Sequence, residues 1–151
     1  MKLLTAVDFS PQTRKVLETA RQLATALKAE LWLVHAAAPE PVVRSYGAGA
    51  RQDRERTAEE YRQEHRLIQE AAADAREVGI EATGLLVQGP PARMILKEAA
   101  DLEADMIIVG SHGFGAVLGL LLGSVSKKIL RKANCPVLVV PAERRVPSAS
   151  S

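Results

Sequence analysis

The chain has 151 residues, of which 47% are hydrophobic, 25% are charged and 3% are aromatic, and it carries a formal net charge of +2. This length and composition predict a single globular domain and indicate neither wholesale disorder nor a membrane protein. Because 20 basic residues are nearly balanced by 18 acidic ones, the charge gives no indication of a nucleic-acid or membrane partner.

The first residues of the chain hold one lysine and a short apolar run that ends at Asp8. This run, residues 1–7, is too short for the core of a signal peptide or for a membrane span, so we expect a cytoplasmic protein. The single cysteine, Cys135, cannot form an internal disulfide and has no Cys or His neighbours at zinc-finger spacing. We interpret it as a small apolar residue that leads into a strand.

Five short apolar segments predict buried strands, and helical patterns separate them. These segments lack the alternation of inward and outward residues that is typical of a half-exposed antiparallel strand. The pattern indicates βαβ units, and therefore an α/β fold with a parallel sheet covered by helices. The predicted strands are residues 2–7, 30–34, 81–87, 106–109 and 137–140.

The first two helices have clear local signals at their ends. Ser10 is the predicted N-cap of the first helix, with Pro11 at the first helical position. Residues 39–51 contain prolines and glycines and predict a long loop. A charged second helix is expected over residues 53–78, and Gly79 ends it as a C-cap.

The third and fourth helices follow in the second half of the chain. Pro90 and Pro91 open the third helix, because proline suits the first helical position, and this helix ends at Leu102. The fourth helix is predicted to begin at Ser124. Residues 142–151 are polar and show no periodicity, so we expect an unstructured tail.

A glycine-rich segment with the spacing G-x2-G-x9-G-S follows the fourth strand, from Gly110 and Gly113 to Gly123 and Ser124. Glycine is needed where the backbone approaches a phosphate closely or adopts a positive φ. The first amides of the fourth helix have no partners within the helix and point outward at the positive end of its dipole. The hydroxyls of Ser124 and Ser126 add two donors.

Two strand-to-helix connections would therefore meet at one anion-sized space, at the C-terminal ends of the strands. We predict that this space binds the phosphates of a nucleotide. The alternative is that the glycines only form turns and that Ser124 only caps a helix. Other nucleotide motifs are absent from the sequence, since Gly123 and Ser124 are not followed by the Lys-Ser/Thr of a P-loop and no G-x-G-x-x-G is present.

This spacing resembles the nucleotide-binding signature of the universal stress protein family, in its ATP-binding branch. The likeness covers nearly the whole chain, from residues 6–10 through residues 33–35 to residues 134–140. The resemblance implies one domain over residues 1–141. It also implies a three-layer α/β/α sandwich of the adenine nucleotide alpha hydrolase-like type, with a five-stranded parallel sheet in the order 3-2-1-4-5.

The resemblance also implies which residues contact the ligand, expected to be ATP or AMP with Mg²⁺ bridging the phosphates. Asp8 would accept hydrogen bonds from the ribose hydroxyls, and Val7 and Val34 would flank the adenine. An alternative for Asp8 is that it orients the turn at Ser10. His112 stands where the family often has arginine. The positions that match phosphate-contacting residues are Gly110, His112, Gly113, Gly123, Ser124, Val125 and Ser126.

The function implied is that of a stress-response nucleotide sensor or regulator. Two alternatives stay open: a nucleotide-free dimeric scaffold of the same fold, and a slow ATP hydrolase. No residue stands out as a catalytic base or nucleophile, and no histidines share a metal-ligand spacing. The implied strand order leaves Val137–Val140 as an apolar edge, which predicts a homodimer through that strand.

Overall fold

The computed structural model describes residues 1–37, 48–112 and 122–142. For residues 48–57 only the backbone is described. The predicted loop over residues 39–51 lies largely outside these ranges. Gly113 and nearly all of the predicted tail also lie outside the described residues.

Within the described ranges, strands and helices alternate along the chain, which confirms the α/β class. The elements are β1 (Lys2–Ala6), α1 (Thr13–Leu27), β2 (Glu30–Ala37), α2 (Ala48–Glu77), β3 (Ala82–Gln88), α3 (Pro91–Asp101), β4 (Met106–Gly110), α4 (Ser124–Lys132) and β5 (Val137–Val140). None of the helices in these ranges is long and apolar enough to cross a membrane.

The five strands form one sheet in the order β3-β2-β1-β4-β5, and every neighbouring pair is parallel. This confirms the order 3-2-1-4-5. Because side chains alternate between the faces of a strand, each strand contributes to two cores. On β1, Leu3 packs in the core beneath α1 and α2, while Leu4 packs in the core beneath α3 and α4. The result is the expected three-layer sandwich.

The centre of the sheet is the point at which the strand order reverses. β1 lies between β2 and β4, and the chain leaves β1 toward α1 on one face and β4 toward α4 on the other face. Open α/β sheets form a crevice at the carboxyl ends of the strands at such a point. The two loops that carry the predicted ligand contacts therefore lie on either side of this crevice.

The start of α1 differs from the sequence prediction. The helix begins at Thr13 after Gln12, and Ser10 does not cap it, because the buried Ser10 hydroxyl has no hydrogen-bond partner among the described residues. The Ser10 carbonyl oxygen accepts the N–H of Thr13 at 2.9 Å, and the Ser10 N–H donates to Asp8 Oδ1 at 2.9 Å. The Asp8 carboxylate thus organises this turn, and Pro11 lies in it before the helix begins.

Two elements, β2 and α2, are longer than predicted. The predicted end of α2 and the predicted starts of α3 and α4 are confirmed. β2 continues to Ala37, because its pairing with β3 extends to Gln88. α2 begins at Ala48 rather than at residue 53. Gly79 ends the α2 segment with a φ of +88°, as its predicted C-cap role requires. α3 has Pro91 at its first turn, and α4 begins at the predicted position.

Candidate functional site

The loop after β1 contributes Val7, Asp8 and Phe9 to the crevice. The Val7 N–H donates to the Val34 carbonyl oxygen at 2.9 Å, so the structure brings these two predicted residues together. Val34 is fully buried in the core, and its carbonyl oxygen is the acceptor of this hydrogen bond. Asp8 is exposed, and its Oδ1 accepts from the Ser10 N–H and, at 3.3 Å, from the Thr13 hydroxyl. The structure thus bears out the alternative role of Asp8 in the turn.

The loop after β4 and the start of α4 are joined directly. The Gly123 N–H donates to the Ser111 carbonyl oxygen at 2.6 Å. A Cβ on Gly123 would lie 3.3 Å from that oxygen, so glycine permits this close approach. The Ser126 hydroxyl donates to the Gly110 carbonyl oxygen at 2.5 Å. The predicted convergence of the Gly110 and Gly123 segments is therefore present in the fold.

The buried Ser126 hydroxyl makes an internal hydrogen bond in this structure, where the sequence suggested a phosphate donor. The first intrahelical hydrogen bond of α4 runs from the Lys127 N–H to the Gly123 carbonyl oxygen at 3.0 Å. The amides of Ser124, Val125 and Ser126 precede this bond and are not used by the helix. Amides at such a helix start are suited to bind an anion, which makes them candidate ligand contacts of the site.

Gln12, which the sequence analysis did not identify, spans the site. Its Nε2 donates to the Val140 carbonyl oxygen at 2.7 Å, and its Oε1 accepts the N–H of His112 at 3.0 Å. A Cβ on Gly110 would lie 2.9 Å from Gln12 Oε1. The missing side chain at Gly110 therefore makes room for this carboxamide, which links the β1–α1 loop to the ends of β4 and β5.

The Ser111 hydroxyl lies at the centre of the same cluster. Its Oγ accepts from Gln12 Nε2 at 3.3 Å and from the Ala142 N–H at 3.1 Å. It also lies 2.9 Å from Nδ1 of His112. Ser111 is buried, so this hydroxyl serves the internal network.

His35 is a second functional candidate that the sequence analysis left aside. It lies on β2 next to Val34, and its Nδ1 is 2.7 Å from the Val7 carbonyl oxygen. Because a carbonyl oxygen only accepts, Nδ1 carries the proton of this hydrogen bond. The buried Nε2 lies 3.4 Å from Glu64 Oε2, and the ring contacts Phe9 at a centroid distance of 4.6 Å.

Neither Gln12 nor His35 has a local sequence signal for its role, because both act through partners that are distant along the chain. His35 directly follows the apolar residues of the predicted second strand, so the sequence indicated only where that strand ends. Among the residues that the structure describes, no group of three or more His, Cys, Asp and Glu side chains could hold a metal ion.

Comparisons with known proteins agree on one family. The family model for universal stress proteins matches residues 1–141. The chain is 33% identical over 144 residues to universal stress protein YxiE of Bacillus subtilis, a match that covers 92% of this chain and 97% of that relative.

Solved structures show the same similarity. The structure of MJ0577, a protein of Methanocaldococcus jannaschii, matches with a TM-score of 0.79 and 28% identity over 95% of this chain and 96% of that one. A universal stress protein in complex with cAMP matches with a TM-score of 0.69 and 23% identity, over 93% of this chain and 96% of that one. At that identity, the second match shows a shared fold.

Proposed function

The chain belongs to the universal stress protein family, and from this premise we propose that it binds an adenine nucleotide, ATP or AMP, in the crevice between the loops after β1 and β4. The observation that carries the proposal is the start of α4, where amides that the helix itself does not use lie beside the end of β4. The similar fold in complex with cAMP supports the same ligand class. A stress-response sensor or regulator in the cytoplasm is the role that the family resemblance favours.

The phosphates would lie against the amides of Ser124, Val125 and Ser126, with the Ser124 hydroxyl and His112 as further donors. Hydrogen bonds to a charged acceptor contribute about 1.5–3 kcal/mol each. Four or five of them, less several kcal/mol lost on association, correspond to a dissociation constant on the order of micromolar. This affinity suits a sensor that exchanges its nucleotide.

The nucleoside would lie over the β1 and β2 ends. Asp8 is exposed there, and it would accept from the ribose hydroxyls. Val7 and Val34 would flank the adenine. Because Asp8 is already held by two hydrogen bonds in the turn, its carboxylate would be oriented before the ligand arrives.

Mg²⁺ fits this arrangement as an ion carried by the phosphates. Asp8 is the one carboxylate within the described residues of the two loops, and it is the residue proposed to bind the ribose. Mg²⁺ prefers phosphate oxygens and water to a protein cage when carboxylates are few. The ion would therefore screen phosphate charge without a dedicated protein ligand set.

The variants Ser124→Pro and Ser124→Ala test the proposed phosphate contacts. Proline is tolerated at the first helical position, and Gly123 before it has the extended conformation that proline requires, with φ −71° and ψ 164°. Ser124→Pro thus removes one amide and one hydroxyl, whereas Ser124→Ala removes the hydroxyl alone. In calorimetric titrations with ATP and AMP, we expect about tenfold weaker binding for Ser124→Pro than for Ser124→Ala.

The thermal unfolding temperature of both variants serves as the control for folding. Equal nucleotide affinity in the two variants would contradict the proposed contact between the α4 amides and the phosphates. Mass spectrometry of the freshly purified, denatured protein would also detect any nucleotide that it carries. If no nucleotide is released and none binds in the titrations, the nucleotide-free scaffold is favoured.

We also propose that the chain forms a homodimer through Val137–Val140. This strand, β5, lies at the edge of the sheet and pairs with β4 on one side. The carbonyl oxygens of Pro136 and Val140 accept hydrogen bonds from the β4 side. In a parallel ladder the alternate residues face the opposite way, so the amides of Val137 and Val139 point to the open edge.

The variant Val139→Pro tests this dimer, because it removes an outward amide and leaves the pairing with β4 intact. We expect a dimer for the wild type and a monomer for Val139→Pro in light scattering at micromolar concentration. Val139→Thr keeps the amide and should remain dimeric. A monomeric wild type would contradict the proposal.

A further inference from the structure

The orientation of the Gln12 carboxamide is fixed by its neighbours. The Val140 carbonyl oxygen can only accept a hydrogen bond, and the His112 backbone N–H can only donate one. The amide nitrogen of Gln12 must therefore face Val140, and its oxygen must face His112. The second hydrogen of Nε2 is then directed to the Ser111 hydroxyl, 3.3 Å away.

The Ser111 hydroxyl consequently has one direction left for its own proton. A hydroxyl oxygen accepts at most two hydrogen bonds and donates one. Both acceptor positions of Ser111 Oγ are used, by Gln12 Nε2 and by the Ala142 N–H. The remaining neighbour is Nδ1 of His112 at 2.9 Å, so Ser111 donates to this nitrogen.

From this network we propose that Gln12 and Ser111 are positioning residues that fix the His112 imidazole in the tautomer with its proton on Nε2. The ring then acts as a hydrogen-bond donor to a phosphate oxygen of the nucleotide. The phosphate step rests on the function proposed above, whereas the tautomer is argued from the hydrogen bonds of the Ser111 hydroxyl.

The opposite tautomer is disfavoured by the same geometry. A proton on Nδ1 would have to point at Ser111 Oγ, which already accepts two N–H groups. The hydroxyl proton of Ser111 would also lose its acceptor in this buried cluster, and an unsatisfied buried donor is destabilising.

His35 offers an internal reference for the experiment. Its Nδ1 donates to the Val7 carbonyl oxygen, so its proton lies on Nδ1 when the ring is neutral. The chain has three histidines, which makes assignment by substitution straightforward. The tautomers inferred for His35 and His112 are therefore opposite.

The test is a long-range ¹⁵N–¹H correlation spectrum of the imidazole nitrogens, recorded at pH 8 on protein freed of nucleotide. We expect the Nε2–H tautomer for His112 and the Nδ1–H tautomer for His35. In Ser111→Ala, the His112 ring should change to a mixture of tautomers. A mixture or an Nδ1–H tautomer for His112 in the wild type would overturn the inference.

Nucleotide titrations test the phosphate step separately. Ser111→Ala should bind ATP several-fold more weakly than the wild type. His112→Gln, whose amide can reach the Nε2 position, should bind several-fold more tightly than His112→Asn, whose amide replaces Nδ1. Equal affinities would overturn the phosphate role of His112. A wild type that binds no nucleotide, but shows the expected tautomer, would refute the proposed function and leave the positioning network standing.

Discussion

Replacing Gly110 with alanine tests the arrangement of the site through its stability. A Cβ at position 110 would lie 2.9 Å from Gln12 Oε1 and 3.0 Å from Gln12 Cδ, which is closer than a Cβ normally approaches another heavy atom. The backbone at Gly110 is outside the left-handed region, so alanine itself is not strained there. The steric conflict therefore falls on the Gln12 carboxamide, which must move away.

The magnitude follows from the hydrogen bonds that Gln12 would lose. Its contacts with Val140 at 2.7 Å and His112 at 3.0 Å each contribute about 0.5–1.5 kcal/mol. Replacing glycine with alanine also restricts the unfolded chain, which stabilises the fold by about 0.4–1 kcal/mol. We expect Gly110→Ala to lower the free energy of unfolding by about 1–2 kcal/mol, the difference between these effects.

A double-mutant cycle in urea unfolding separates this cause from others. In the Gln12→Ala background the carboxamide is absent, so Gly110→Ala should be neutral or slightly stabilising. The two substitutions should then show a coupling free energy of about 1–3 kcal/mol, as expected for residues in contact. The same destabilisation by Gly110→Ala in both backgrounds would refute the contact as the reason for glycine at this position.

Three further predictions concern other parts of the structure. Gly84→Ala should lower the free energy of unfolding by about 1–3 kcal/mol, because its Cβ would lie 2.7 Å from a backbone oxygen of α2; unchanged stability in urea would contradict it. Glu64→Gln should raise the free energy of unfolding at pH 8 by about 1 kcal/mol, since an amide can donate to the buried Nε2 of His35; a decrease would refute this. Burial raises the pKa of the Cys135 thiol, although a backbone hydrogen bond from Ile107 opposes it. Alkylation by iodoacetamide should therefore have a pH–rate midpoint above that of free cysteine, and a midpoint at or below that value would be inconsistent with the shift.

The α/β class and the five strands could be predicted from the sequence because each buried strand is a continuous apolar run with turn signals at its ends, whereas the strand order was implied by the family resemblance. The end of β2 could not be predicted in this way. His35 is polar and appeared to end the strand, yet β2 continues to Ala37 because its backbone pairs with β3. Pairing between strands that are distant along the chain decides such boundaries, and no local pattern reports it.

The same distinction applies to the site. The amides at the start of α4 could be predicted, since a glycine and a helix start are local features. Ser10 was a reasonable N-cap on local grounds, but Asp8 two residues earlier takes up the Ser10 N–H and shifts the helix start to Thr13. The role of Gln12 depends on Val140, which is 128 residues away, so only the fold reveals it.

The position of Gln12 has a consequence for how the site binds its ligand. The loops after β1 and β4 lead to helices on opposite faces of the sheet, so the packing of each helix alone does not fix one loop relative to the other. Gln12 joins them across the end of β4, and Ser111 extends the connection to His112. A site joined in this way before the nucleotide arrives loses less conformational entropy on binding. Gln12→Ala should therefore weaken nucleotide binding although Gln12 is not proposed to contact the ligand.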